Sequence, residues 1–226
     1  QEQRIVLSNL INSESKILFN RNPRERVAKV APWLTIDGDP YPAIIDGKIL
    51  WIIDGYTTSA GYPNSRVVNL ANTGDALTSR SNAVSSLDDR NVNYIRNSVK
   101  ATVDAYDGTV SLYQWDDKDP VLSTWSKAFP GSVKPRSEIS ADLLAHVRYP
   151  EDMFRVQRDI LSAYHVTTAD AFYGGQDFWR VPLDPSSFGS NSGNQPPYYL
   201  TLKLPDAKEP AFSLTTPFVP RGTREN

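Results

Sequence analysis

The sequence predicts an α+β fold in which helices pack on an antiparallel sheet containing two Asp-Gly hairpins. Three observations predict it. Asp46-Gly47 separates the apolar pair Ile44 and Ile45 from the run Ile49 to Ile53, and Asp107-Gly108 separates two alternating segments; Asp-Gly supplies the positive φ angles of a two-residue hairpin. Cap and proline signals then mark successive helices between residues 120 and 179. Near the C-terminus Leu200, Leu202 and Leu204 alternate with Thr201 and Lys203, as in a strand. Residues 1–226 are expected to form a single domain.

In chain order, Leu7, Leu10, Ile11 and Leu18 have helical spacing and predict an amphipathic opening helix over 1–19. Asn22 can cap a second helix with Pro23 in its first position, Glu25 at a capping-box position and Pro32 beyond its end. Its Arg24, Glu25 and Arg26 are expected on a solvated face. The run Ile49 to Ile53 is apolar on both faces and predicts a central strand. That strand is expected to end at Asp54-Gly55, in a polar, aromatic loop holding Tyr56, Thr57, Thr58, Tyr62, Asn64 and Arg66.

Residues 71–93 carry few large apolar side chains and predict a long mobile loop. Pairing outward from Asp107-Gly108 sets Ala105 opposite Val110, Val103 opposite Leu112, Asp104 opposite Ser111 and Thr102 opposite Tyr113, a half-buried pair. Asp119 and Pro120 open a helix expected to bury Val121, Trp125 and Phe129 and to stop at Pro130-Gly131. A short helix follows from Ser140 to Val147. Tyr149-Pro150 opens a longer one, with Glu151 and Asp152 at its positive end, His165 near its negative end and an apolar stripe of Met153, Val156, Ile160 and Tyr164. Thr167 and Asp170 form a capping box before a helix over Ala171 to Trp179. After a loop at Ser186 to Gln195, strands Tyr198 to Leu204 and Phe212 to Thr216 are expected to join the sheet. The final PFVPRGTREN carries no packing signal.

Composition narrows the function classes. The 226 residues hold 24 basic and 26 acidic side chains, with a net charge of -2 and a pI of about 5.7; this argues against a nucleic-acid surface or a polybasic membrane patch. The absence of cysteine excludes disulfides, thiolate chemistry, thiolate-bound zinc and iron–sulfur clusters. The longest wholly apolar run, Ile49 to Ile53, is far short of a membrane span, so the chain is expected to be a soluble piece of a longer protein.

Motifs for chemistry are sparse. Asp116, Asp117 and Asp119 fail the calcium-loop spacing, because Val121, Leu122 and Ala128 fall where ligands or the glycine belong. His146 and His165 lack paired-ligand spacing, and no nucleophile elbow, phosphate loop or dinucleotide fingerprint occurs. No metal and no cofactor is therefore expected. Among Asp37, Asp39, Asp46 and Asp54, turn chemistry explains all but Asp54. The candidate binding residues are Asp54, Tyr56, Thr57, Thr58, Tyr62 and Arg66: Asp54 to accept hydrogen bonds, the tyrosines to offer flat faces for sugars or peptides, Arg66 to meet an anion. A structural loop packed on its own tyrosines is the competing reading.

The segments APWLTIDGDPYPAIIDGKILWIIDGYTTSAGYPNS, NYIRNSVKATVDAYDGTVSLYQWD, AFPGSVKPRSEIS, LLAHVRYPEDMFRVQRDIL and QPPYYLTLKLP resemble uncharacterised protein family one-eight-two, large multi-pass membrane proteins typical of actinobacteria. The likeness covers about residues 20 to 220. It implies several N-terminal transmembrane helices followed by a large extracytoplasmic region, so the portion at hand is expected outside the cytoplasm, at the cell membrane. The family brings no established activity and no catalytic residues. Two functions follow as expectations: a binding or interaction module whose partner is an envelope protein, glycan or lipid, or a cell-envelope hydrolase acting on glycan or lipid. The hydrolase requires Asp54, or another carboxylate, buried beside a second titratable group.

Overall fold

The computed structural model of the chain describes Asn12, Glu14 and residues 20–70, 91–186 and 193–222. The expected opening helix and most of the expected mobile loop lie outside these residues. Helices and antiparallel sheets alternate as the α+β expectation requires: α1 (Pro23–Val30), β1 (Thr35–Ile36), β2 (Tyr41–Ile45), β3 (Lys48–Ser59), β4 (Val68–Asn69), β5 (Asn91–Val92), β6 (Tyr94–Asp104), β7 (Val110–Gln114), α2 (Pro120–Ala128), α3 (Ala141–His146), α4 (Glu151–Tyr164), α5 (Ala169–Tyr173), β8 (Trp179–Arg180), β9 (Tyr198–Leu202), β10 (Ala211–Thr215) and β11 (Val219–Pro220).

The main sheet runs β1-β3-β6-β7, and β2 shares the edge of β3 with β1. Asp46 and Gly47 have φ of 48° and 78° and close a two-residue hairpin between Ile45 and Lys48, as the sequence predicts. The second hairpin differs. Val103 pairs with Val110, Ala101 with Leu112, Thr102 with Ser111 and Lys100 with Tyr113, two residues away from the expected register. The Asp104 carboxylate accepts the Tyr106 N–H at 2.7 Å, and the Gly108 N–H donates to the Asp104 carbonyl at 2.9 Å. A four-residue loop is the result. A two-residue slip preserves which face each side chain occupies, so the pattern alone could not separate the two registers.

Both faces of β3 and β6 are covered, so β6 is buried beyond the half-buried pair expected, while β7 buries only Leu112. On one face Ile53, Val99, Ala101 and Val103 meet Val27 of α1 and Leu122 of α2. On the other, Ile52 meets Leu143 of α3, and Tyr56 meets Met153 and Val156 of α4. Complete burial of a side chain such as Leu122 contributes about 2 kcal/mol.

The caps of α1 and α2 are Asn22 and Asp119, as predicted, and Ser140 caps α3 at the expected start of that helix. Other local expectations fail because distant partners compete. Arg26 reaches the Gly108 carbonyl at 3.0 Å, and Arg24 the Ile36 carbonyl at 3.4 Å, so the α1 arginines tie helix to sheet rather than lie on a solvated face. Leu122 is the buried residue of α2; Trp125 stacks between Trp33 and Phe129 instead, with Phe129 exposed. Tyr164 is exposed too, while Arg155 and Arg158 are buried on α4. Helix α5 ends at Tyr173, and Thr168 occupies its cap. Asn91 and Val92, at the end of the expected loop, pair with Asn69 and Val68.

The C-terminal strands do not join the main sheet. β9 and β10 form their own two-stranded sheet, and β11 pairs with β8, so residues 218–220 of the final segment pack after all: Phe218 lies 5.3 Å from the Trp179 ring.

Alanine at the two hairpin glycines separates backbone strain from crowding. Gly47 has open space for a Cβ, whereas a Cβ on Gly108, with φ of 75°, falls 2.3 Å from the Arg26 guanidinium. Gly47→Ala is expected to cost about 1 kcal/mol in urea denaturation, and Gly108→Ala more, because it also displaces Arg26.

Candidate functional site

Strand β3 does not end at Asp54. It continues to Ser59, pairing with β6 across a bulge after Gly55. A Cβ on Gly55 would stand 3.0 Å from the Leu34 side chain, so glycine here marks a close approach within a strand rather than a turn. Asp54, Tyr56 and Thr57 are buried, and the Thr58 hydroxyl meets that of Thr35 at 3.2 Å. Only Tyr62 and Arg66, of the six candidates, are exposed; Tyr62 stacks on Tyr94 with centroids 5.6 Å apart. The candidates therefore divide between a buried strand and a surface loop.

On the α3–α4 face Asp54 forms a buried ion pair with Lys100 and accepts from the Asn97 amide at 2.6 Å. Lys100 also donates to the Arg148 carbonyl at 3.1 Å and lies 5.1 Å from the Trp115 ring centroid. Burial raises the Asp54 carboxyl above its ordinary range, against the opposing pull of Lys100. Beside this pair, residues 37–40 leave the sheet edge between β1 and β2. The Asp37 carboxylate there accepts the Tyr56 hydroxyl proton and the Asp152 N–H at 3.3 Å, while the Asp152 carboxylate accepts the Gly38 N–H at 2.8 Å. The Tyr56 oxygen in turn accepts the Met153 N–H at 3.3 Å. Pro150 precedes α4 without a side-chain cap, so Asp37 and Tyr56 satisfy the orphan N–H groups of that helix from far away in sequence. Burial, then the Asp37 carboxylate, pushes the Asp152 carboxyl up to about 7.

On the opposite face Asp119 accepts from Thr57 and Ser98 at 2.6 Å each, from Tyr94 at 2.6 Å, and from the Val121 and Leu122 N–H groups. Burial works to raise its carboxyl, but the hydroxyl and backbone donors bring it below the usual range. Its chemistry is that of a cap and a tie between strands.

Clefts open around these layers among the described residues. One of about 540 Å3 is lined by Tyr62, Arg66, Tyr94, Val156, Ile160 and Tyr164 among others. A neighbouring cleft of about 740 Å3 shares Arg66 and Tyr164 and adds Arg155, Arg158, Arg180 and Arg221 with Phe172, Phe178 and Trp179. The third, about 670 Å3, lies over Lys100, Trp115, Arg136 and Arg148. Sequence reasoning missed Lys100, Asp152 and the arginines. Charged residues inside the apolar stripe of α4, at Arg155 and Arg158, were the available signal.

The family model described as "Uncharacterised protein family (UPF0182)" matches residues 1–226. The chain is 59% identical over 227 residues to a UPF0182 protein of Thermobifida fusca, covering 100% of this chain and 22% of the relative. It is 57% identical over 224 residues to one of Kineococcus radiotolerans (97% and 22%) and 55% identical over 228 residues to one of Streptomyces coelicolor (100% and 22%). The chain thus spans about a fifth of the length of these curated relatives. No solved structure matches it.

Two measurements probe the buried charges. Lys100→Met strands the Asp54 carboxylate and is expected to cost about 3–5 kcal/mol in chemical denaturation, whereas adding Asp54→Asn recovers part of that loss. For Asp152 the folded pKa lies above the unfolded value, so the folded state holds its proton more tightly. Its contribution is then full below about pH 4 and is lost as pH rises to about 7. Urea denaturation between pH 4 and 8 should show wild-type stability falling across this window, with a shallower fall in Asp152→Asn.

Proposed function

We propose, from the premise that this chain belongs to the uncharacterised protein family UPF0182, that it is a binding module in the extracytoplasmic part of a longer membrane protein, recognising an envelope protein, glycan or lipid. The observation that carries this reading is the placement of Tyr62 and Arg66. Both are exposed beside the cleft of about 540 Å3, and Arg66 reaches into the next cleft as well. The loop bearing them follows directly from β3, a strand anchored on both faces, so little ordering entropy is lost on binding. Among the described residues no helix is long and apolar enough to cross a membrane; the membrane and extracytoplasmic assignment rests on the family resemblance.

A hydrolase is the second reading. Asp54 meets its stated requirement, being buried beside the titratable Lys100, which lines the third cleft. The binding module is preferred because the Asp54–Lys100 pair is closed off by its own partners, Asn97 and the Arg148 carbonyl. Turnover of an envelope glycan or lipid that disappears in Asp54→Asn, with the fold intact, would replace the module by the enzyme.

The test uses the 226-residue chain and a purified actinobacterial envelope fraction separated into lipid, glycan and protein. Saturable binding to one fraction is expected, weakened about tenfold in Tyr62→Ala and in Arg66→Ala. Stability should change by less than about 1 kcal/mol, because Tyr62 is 55% exposed and the Arg66–Asp159 pair is a surface one. A loss of several kcal/mol without any binding to lose would make the loop structural.

A further inference from the structure

We propose that the arginine-lined cleft of about 740 Å3 binds an amphiphilic organophosphate, its phosphate clasped by Arg180 and Arg221 and its apolar body laid on Phe172 and Phe178. The proposal deepens the binding-module reading and rests on it.

The charge balance of the lining is one-sided. Among the described residues Asp159 is its only carboxylate, and Arg66 already holds it at 3.3 Å. Arg155 is engaged by Glu151 and Asp152. Arg180 and Arg221 are exposed at the same cleft, and neither makes an ion pair among the described residues. Guanidinium groups lining one cleft repel one another, and a bound anion converts that repulsion into attraction.

The two arginines are held by the backbone. Arg180 pairs with Val219 across β8 and β11, and the Arg221 N–H donates to the Phe178 carbonyl at 2.7 Å. The ribbon is clamped where Trp179 lies between His165, at a centroid distance of 3.5 Å, and Phe218, at 5.3 Å. The strand positions are thus set before any ligand arrives, which lowers the entropy lost on binding.

The cleft volume suits a small ligand rather than a protein segment. Guanidinium forks match phosphate oxygens in pairs, and the three oxygens of a phosphate monoester can serve two arginines at once. The adjoining aromatic rings favour a phosphate carrying an apolar or planar body over the bare ion. A lipid headgroup and a free aromatic phosphate share this chemistry.

Isothermal titration of the full 226-residue chain with dihexanoyl phosphatidic acid, adenosine monophosphate, inorganic phosphate and dihexanoyl phosphatidylcholine tests the site. One of the two organophosphate monoesters is expected to bind saturably, at least about tenfold tighter than inorganic phosphate and than the zwitterionic lipid. Preference for the phosphatidic acid assigns a lipid headgroup, and preference for the nucleotide a free aromatic phosphate. Arg180→Ala with Arg221→Ala should weaken binding about tenfold or more with the melting temperature unchanged, and Arg180→Lys with Arg221→Lys should restore only part of it. Should the double alanine variant misfold, Arg221→Gln alone carries the same expectation. The proposal is overturned if no organophosphate binds saturably, or if the folded variants bind as tightly as wild type. In that event, envelope binding that still depends on Tyr62 leaves the module reading standing, whereas absence of both removes the two together.

Discussion

The Tyr56 hydroxyl, lodged between the Asp37 carboxylate and the first turn of α4, is the interaction on which most of the architecture depends. It links the three parts that have to agree: the central strand β3, the excursion of residues 37–40 from the sheet edge, and the helix that covers the sheet. Tyr56 is wholly buried, and a phenol in that position costs free energy unless its proton and lone pair both find partners. Asp37 takes the proton, and the Met153 N–H takes the lone pair. A helix entered through Pro150, which offers no capping side chain, starts cleanly because those distant groups stand in for a cap.

The same constraint explains why the end of β3 is polar yet buried. Each face of the strand carries a carboxylate answered by specific donors. Asp54 is met by Lys100 and Asn97 on one side, and Asp119 by the Thr57, Ser98 and Tyr94 hydroxyls on the other. Buried charges satisfied in this way specify one arrangement of strands and helices more than they add net stability, because desolvation offsets much of the attraction. Rigidity gained here extends to the loop that leaves β3. Tyr62 and Arg66 start from a strand fixed on both sides, and Arg66 lies where two clefts meet.

Charges in the clefts follow a different rule from charges in the core. Around β3 each carboxylate has donors at close range, so its electrostatics are internally resolved. At the β8–β11 ribbon Arg180 and Arg221 remain exposed while the backbone that carries them is held. Fixed backbone with unspent cations is an arrangement suited to recognition, and it lies outside the elements that hold the main sheet together.

Much of the fold was legible in the sequence. The Asp46-Gly47 hairpin and the caps Asn22 and Asp119 act within four residues of themselves, so identity and spacing determine them. What the tertiary structure alone decided was every choice between locally equivalent answers. The second hairpin could slip by two residues without changing faces, and the bond from Arg26 to the Gly108 carbonyl, 82 residues away, ties the observed four-residue loop to α1. Asp54, Tyr56 and Thr57 look like a polar loop until Lys100, Asp37 and Asp119 are brought to them from elsewhere in the chain. A local sequence reports the cost of burying a polar group. Whether that cost is met depends on partners such as Asp37 and Asp152, which stand 115 residues apart and meet only in the folded chain.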